Sequence, residues 1–154
     1  MQAVVDLLSA IDGQAPYEND LSPSGRVQRL RRAGLAIEAL PAALVTIDGL
    51  SRRDHSTAAK VASLRLTVDA FPSIADDDAD VSAAIASLVG DIDLAVCAAS
   101  ATQEPPLGIA GVLQLSVDGW VPYAVEEVAI VGAEVRIVVD YLHDIENPDT
   151  FGGA

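Results

Sequence analysis

Hydrophobic and polar positions alternate most cleanly over Lys60–Phe71, KVASLRLTVDAF. Ala62, Leu64, Leu66, Val68 and Ala70 fall on one face, and Ser63, Arg65, Thr67 and Asp69 on the other. That is the period of a strand with one face buried and the other wet or set against a partner. Upstream, Leu40–Asp48, LPAALVTID, is apolar on both faces: Ala43, Val45 and Ile47 alternate with Ala42, Leu44 and Thr46. This pattern predicts a central strand, with Pro41 at its start, where a missing N–H is tolerated. The two strands are expected to form a hairpin across a polar loop, Gly49–Ala59, GLSRRDHSTAA.

Helical spacing occurs twice. In Met1–Ile11 the residues Val4, Leu7, Leu8 and Ile11 recur at i, i+3, i+4 and i+7, and Gly13 offers a C-terminal stop. The second helix is expected over about Asp78 to Gly90, with Val81, Ile85, Leu88 and Val89 on one stripe that covers the apolar face of Lys60–Phe71. The spacing allows it to continue through Ile92, Leu94 and Val96. Asp76, Asp77, Asp78 and Asp80 cluster at its start, where unsatisfied N–H groups and the positive end of the helix dipole stabilise carboxylates. The DDDAD run lacks the central glycine and the closing glutamate of a calcium loop, so capping is the expected role.

The remaining stretches link these elements. Gln14–Gly25 is a loop rich in turn residues, and Arg26–Gly34 fits either a short helix or a short basic strand. Ala98–Leu107 is expected to be a linker with paired prolines. The last third predicts strands at Val112–Val117, Tyr123–Val131 and Glu134–Leu142, with turns at Asp118-Gly119 and at Gly132. The expected fold class is α+β: a mostly antiparallel β-sheet with a long hairpin, covered on one face by two helices. A single domain spans 1–146, and 147–154 form a flexible C-terminal tail.

Composition changes this picture in three ways. The chain has 154 residues, is 51% hydrophobic and only 4% aromatic, so its apolar mass is Ala, Val, Leu and Ile, and some is available for subunit contacts. No run reaches the roughly 20 apolar residues that span a bilayer, and the N-terminus lacks a signal-peptide pattern, so a cytoplasmic protein, or one assembled there, is expected. Cys97 is the lone cysteine and lies in an apolar stretch, where a buried, inert thiol is expected.

The net charge of −14 argues against wrapping nucleic acid. Its distribution says more than its total. Residues 1–65 hold eight basic and seven acidic groups; residues 66–154 hold sixteen acidic groups and one basic group, Arg136. Such asymmetry fits either plain solubility in a salt-adapted host or head-to-tail association of unlike surfaces. The densest positive cluster is Arg26, Arg29, Arg31 and Arg32, which has no interleaved aromatic side chain of the kind that stacks on bases.

No catalytic constellation stands out. Asp54 and His55 share the hairpin tip with Ser51, Ser56 and Thr57, but a triad is assembled by a rigid fold, not from neighbours on a polar loop. A tip that touches a partner is the expected use. His143-Asp144 reads as a solvated strand end. No cofactor and no metal site is expected.

In the order of these elements the chain resembles the tail-terminator (tail-completion, minor tail protein U-like) family of long-tailed bacteriophages. The resemblance is carried by a short N-terminal helix, the proline-led strand LPAALVTIDG (Leu40–Gly49), the polar hairpin tip and KVASLRLTVDAF. An acidic helix start, DDDADVSAAIASLV, and the closing strand EVRIVVDYL (Glu134–Leu142) complete it. It covers approximately residues 36–142 and consists of order and spacing, without an invariant signature. The chain departs from the family in an Arg-rich insert at 22–34 and in the prolines and glycines between 104 and 119.

The resemblance implies a structural virion protein, not an enzyme: a ring, expected to be a homohexamer, that caps the head-proximal end of a tail tube and ends its polymerisation. Implied partners are further copies of the chain, the tail tube protein and a head–tail connector or neck protein, with DNA passing through unbound and no membrane. Arg26, Arg29, Arg31, Arg32, Arg52, Arg53, Asp54 and His55 are the residues expected at protein–protein contacts. Two other readings remain open: another neck component such as a stopper, and a small ferredoxin-like enzyme or regulatory domain.

Overall fold

The computed structural model describes residues 1–29, 40–54, 59–74, 80–125 and 130–144. Helix α1 (Gln2–Leu8) is followed by strands β1 (Val27–Arg29), β2 (Ala42–Asp54) and β3 (Ala59–Phe71). Helix α2 (Val81–Thr102) and a single 3-10 turn at Pro106–Gly108 then lead into β4 (Val112–Val125) and β5 (Ile130–Asp144). The five strands form one sheet in the order β1-β2-β3-β5-β4, antiparallel except for β1, which runs parallel to β2. The fold is α+β, and the ambiguous basic segment begins as an edge strand.

The alternation in Lys60–Phe71 sets the layers. Ala62, Leu66, Val68 and Ala70 are buried towards the helices, and the register places Ile137, Val135 and Ala133 of β5 beside the last three on the same face. Val4 and Leu8 of α1 and Ile85, Leu88, Val89, Ile92 and Val96 of α2 close over them in one core. The centre of the sheet is β3; β2 lies one strand out, and its two-sided burial holds only over Ala42–Val45.

Several local expectations are corrected. Helix α1 ends at Leu8 with Ser9 as its cap, four residues before Gly13. The segment Gly49–Asp54 is strand rather than loop: after one extra residue at Asp48 it stays paired with Lys60–Arg65. Polar side chains on an arm wet on both faces cost little, while the backbone ladder is satisfied regardless of their identity. Helix α2 runs through Thr102, because Ile92, Ala95, Val96 and Ala99 continue the buried stripe, so Ala98–Thr102 is helix and not linker. The helix stops at Gln103, in extended conformation ahead of Pro105 and Pro106. At 22 residues α2 is long and apolar enough to cross a membrane, contrary to the expectation that no run would be. Its buried stripe makes it a core helix.

Among the described residues of the last third there are two strands, not three. Asp118-Gly119 does not turn it: pairing passes from Val117↔Ile137 to Trp120↔Val135 with one residue extra on β4. Gly119, at φ +108°, supplies the left-handed backbone of that bulge. Gly132 is likewise not a turn. It lies within β5 opposite Tyr123, where a Cβ would sit 2.7 Å from the Ala70 carbonyl oxygen.

Candidate interaction surfaces

The β2–β3 hairpin extends past the helix layer. Helix α2 rests on β4, β3 and β5 rather than on β2. Beyond the Asp48 bulge, Leu50 and Arg52 stand opposite Leu64 and Ala62 on the helix side of the sheet. Ile47 and Leu50 are 53% and 47% exposed there. Arg52 is exposed on the same face, and Arg53 and Arg65 are exposed on the opposite one. Arg53 reaches Asp140 of β5 at 3.4 Å, and the other oxygen of that carboxylate accepts from Ser63 Oγ at 2.5 Å. An ion pair with one partner this exposed contributes at most about 1 kcal/mol, so the arm keeps an accessible, basic and partly apolar surface.

The outer face of α2 has the opposite character. Ala83, Ala86, Gly90, Leu94, Cys97 and Ala101 are exposed along it, and Asp93 is the one charged side chain among them. A surface helix ordinarily turns a charged stripe to water; this one turns small and apolar groups. There is no basic residue from Val81 to Thr102, Asp80 caps the N-terminus through Ser82 and Ala83 N–H groups, and Glu104 follows the last turn. The cap agrees with the expected role of the acidic run; Asp76, Asp77 and Asp78 lie outside the described residues.

Cys97 is exposed, which corrects the expectation of a buried thiol. The heptad-like spacing of α2 points Val96 and Ala99 inward and Cys97 outward. Its Sγ donates to Asp93 Oδ1 at 3.8 Å. Partial desolvation first, and then the Asp93 charge, hold its pKa above the usual thiol value.

Helix α2 is fixed in orientation by a charge that sequence reasoning missed. Asp91 is buried, and one carboxylate oxygen accepts from the Glu18 N–H at 3.0 Å, the Asn19 N–H at 2.7 Å and Asn19 Nδ2 at 2.8 Å. Ser87 Oγ accepts from Asn19 Nδ2 at 3.0 Å and donates to Glu18 Oε2 at 2.7 Å. The loop Gln14–Gly25 is thereby clamped to the helix, with Leu21 buried in the core. The sequence held one signal of this: an aspartate at a position flanked by inward-facing Leu88 and Ile92.

Among the described residues no helix covers the sheet's other face, which carries alternating charges. Asp69 and Glu134 are direct cross-strand neighbours, and Tyr123 hydrogen-bonds to Asp69. Burial, then the Glu134 charge, raise the Asp69 pKa above the ordinary carboxyl range; the Tyr123 bond opposes them. Burial and the same two carboxylates push Tyr123 up to about 12. Arg136 Nε holds Glu134 Oε1 at 3.0 Å. At one end of this face Ala42, Leu44 and Phe71 form a small apolar cluster, with Tyr123 edge-on to Phe71 at 6.3 Å.

The arginines proposed from sequence are separated by the fold. Arg26 is half-buried at the entry to β1 and donates to the carbonyls of Asp20 and Pro41 at 3.5 and 3.3 Å. Arg29 bonds to Gln2 Oε1 at the rim of an open groove of about 490 Å³ between α1 and β1. Since Arg29 is level with Val45, Arg52 lies seven residues further along β2, about 23 Å away. Arg31, Arg32 and His55 lie outside the described residues, and Asp54 is placed only as the end of β2. Among the described residues, no group of three or more His, Cys, Asp or Glu side chains is arranged to hold a metal ion. Comparison with known proteins adds no relative: no family model and no curated protein matches this chain.

Proposed function

We propose that this chain is a structural subunit of a long-tailed bacteriophage that assembles into a ring on the head-proximal end of the tail tube and ends its growth. It joins the tube to the neck and transforms no substrate. The observation that carries this reading is the presence, on one small domain, of two exposed surfaces of unlike chemistry: a basic arm and an uncharged-to-acidic helix face. Unlike surfaces of this kind build heterologous contacts, which close into rings when the rotation per subunit permits. The order of elements that resembles tail terminators supplies the identity of the ring.

DNA passes through without a specific site. On the uncovered sheet face Arg53, Arg65 and Arg136 are matched by Asp69, Glu134 and Asp140, so that face offers no basic track for phosphates. Electron microscopy of tubes assembled from the tail tube subunit of the same virus, with and without this protein, tests the proposal. Short tubes with a ring density at one end are expected. Unchanged tube lengths, with no protein bound to either end, would overturn it.

A further inference from the structure

We infer that the β2–β3 arm of one copy seats on the outer face of α2 of a second copy, and that this contact, repeated head to tail, joins the subunits. The inference rests on the ring reading above and names the two surfaces that close the ring. Four observations carry it.

Hydropathy matches first. The arm presents the large side chains of Ile47 and Leu50, both about half exposed, while α2 presents Leu94 among alanines and Gly90. A flat helix face of small residues lets a strand pair approach closely, with bulk supplied from one side only. Charge matches next. Arg52 stands two residues from Leu50 on the face of the arm that meets the helix, and Asp93 lies on the helix face, with Asp80 and Glu104 at its two ends and no basic side chain along it.

Length agrees as well. The arm from Asp48 to Asp54 is about 20 Å long and the helix about 33 Å. Finally, self-pairing is disfavoured on both surfaces. Arm on arm would set Arg52 against its own copy and helix on helix Asp93 against its own, whereas arm on helix brings the opposite charges together. The edge of β4, a further exposed apolar feature with Trp120 and Val121, is blunted by bulges at Leu113 and at Asp118-Gly119.

The exposed Cys97 provides the test. The full-length variant Leu50→Cys, oxidised under mildly alkaline conditions, is expected to give a ladder of interchain disulfide-linked multimers on a non-reducing gel. The ladder disappears in Leu50→Cys combined with Cys97→Ser. The double variant must run entirely as monomer: alternating arm-to-arm and helix-to-helix links would also build a ladder in the single variant, but would leave arm-to-arm dimers once Cys97 is removed. In parallel, Leu50→Asp and Leu94→Asp, each on an exposed position and checked by circular dichroism, should fail to assemble alone. An equimolar mixture should give heterodimers and nothing larger by native mass spectrometry, because only one intact contact remains per pair.

If rings persist in both aspartate variants and no ladder forms, the pairing of surfaces is wrong and the ring reading stands. If the wild type stays monomeric both alone and with the tube subunit, both fall. Disulfide dimers without a ladder would mean a two-fold contact in place of a head-to-tail one, which overturns the inference. Sedimentation of the wild type, but not of Leu94→Asp, with phosphatidylcholine vesicles would assign the helix face to lipid and would equally overturn it.

Discussion

The two halves of the β2–β3 hairpin are made of the same ladder and differ in what lies over them. At the root, Ala43 and Val45 pair with Ala70 and Val68 beneath Leu8, Ile11 and Leu21, and every one of these side chains is buried. Along the arm, past Asp48, the same side of the sheet carries Leu50 and Arg52 exposed. The β2 strand of the arm is therefore held by its pairing with β3, whose Val61 and Ala62 stay buried, while both strands of the root are held by burial. A ladder fixes the geometry of a strand pair, and packing against a second layer supplies most of its stability.

The difference is measurable in three ways, ordered by expected size. Truncating Leu66 to Ala at the root should cost about 2–5 kcal/mol, since it empties a buried site. In the dissociated subunit the same truncation of Leu50 on the arm should cost no more than about 0.5 kcal/mol, since the position is exposed there. Urea denaturation followed by circular dichroism compares the two, and equal losses would mean that the arm is covered in solution.

Asp91→Ala removes the acceptor for three hydrogen bonds and leaves Ser87 as the α2 side chain still bonded to Glu18 and Asn19. A loss of about 1–3 kcal/mol is expected, because the bonded N–H groups are left part-buried without partners. Faster amide exchange at Glu18 and Asn19, spreading to β1, should accompany it, making the root behave more like the arm. Exchange unchanged at those amides would show that the clamp is not what holds the loop.

The smallest effect concerns the uncovered face of the root. Because Asp69 has a raised folded-state pKa, its contribution to stability is full below the unfolded carboxyl pKa and is lost as pH rises through the folded value. Asp69→Asn should therefore stabilise the protein near neutral pH, by up to about 1 kcal/mol after allowance for its partial exposure, and leave stability unchanged in acid. Denaturation midpoints across that pH range read the effect. A destabilised variant at neutral pH would mean that the Tyr123 hydrogen bond outweighs the Glu134 repulsion.

The same contrast separates what could be read from the chain and what could not. The register of β3 was legible because its period of two is uninterrupted and one face is wholly apolar. The inner stripe of α2 was legible for the analogous reason at a period of 3.6. Gly49–Asp54 reads as loop because GLSRRD has no apolar face, and a strand wet on both sides leaves no hydrophobic signature. Asp118-Gly119 was misread because a bulge and a turn require the same residue types; only the partner strand β5 distinguishes them. The proposed arginines were legible as a cluster of charge, yet not as two places, since their separation is set by β1–β2 pairing.

What the sequence determined by itself was local: the periods that make strands and helices, the cap at Asp80, and the acidic excess after residue 65. Tertiary structure alone decided which apolar positions remained uncovered, that Cys97 faces outward, and that Asp91 meets a loop about seventy residues away. The physical reason is that periodicity is a property of neighbours along the chain. Exposure and hydrogen-bond satisfaction depend on which layer closes over a surface, and that choice is made between segments remote in sequence.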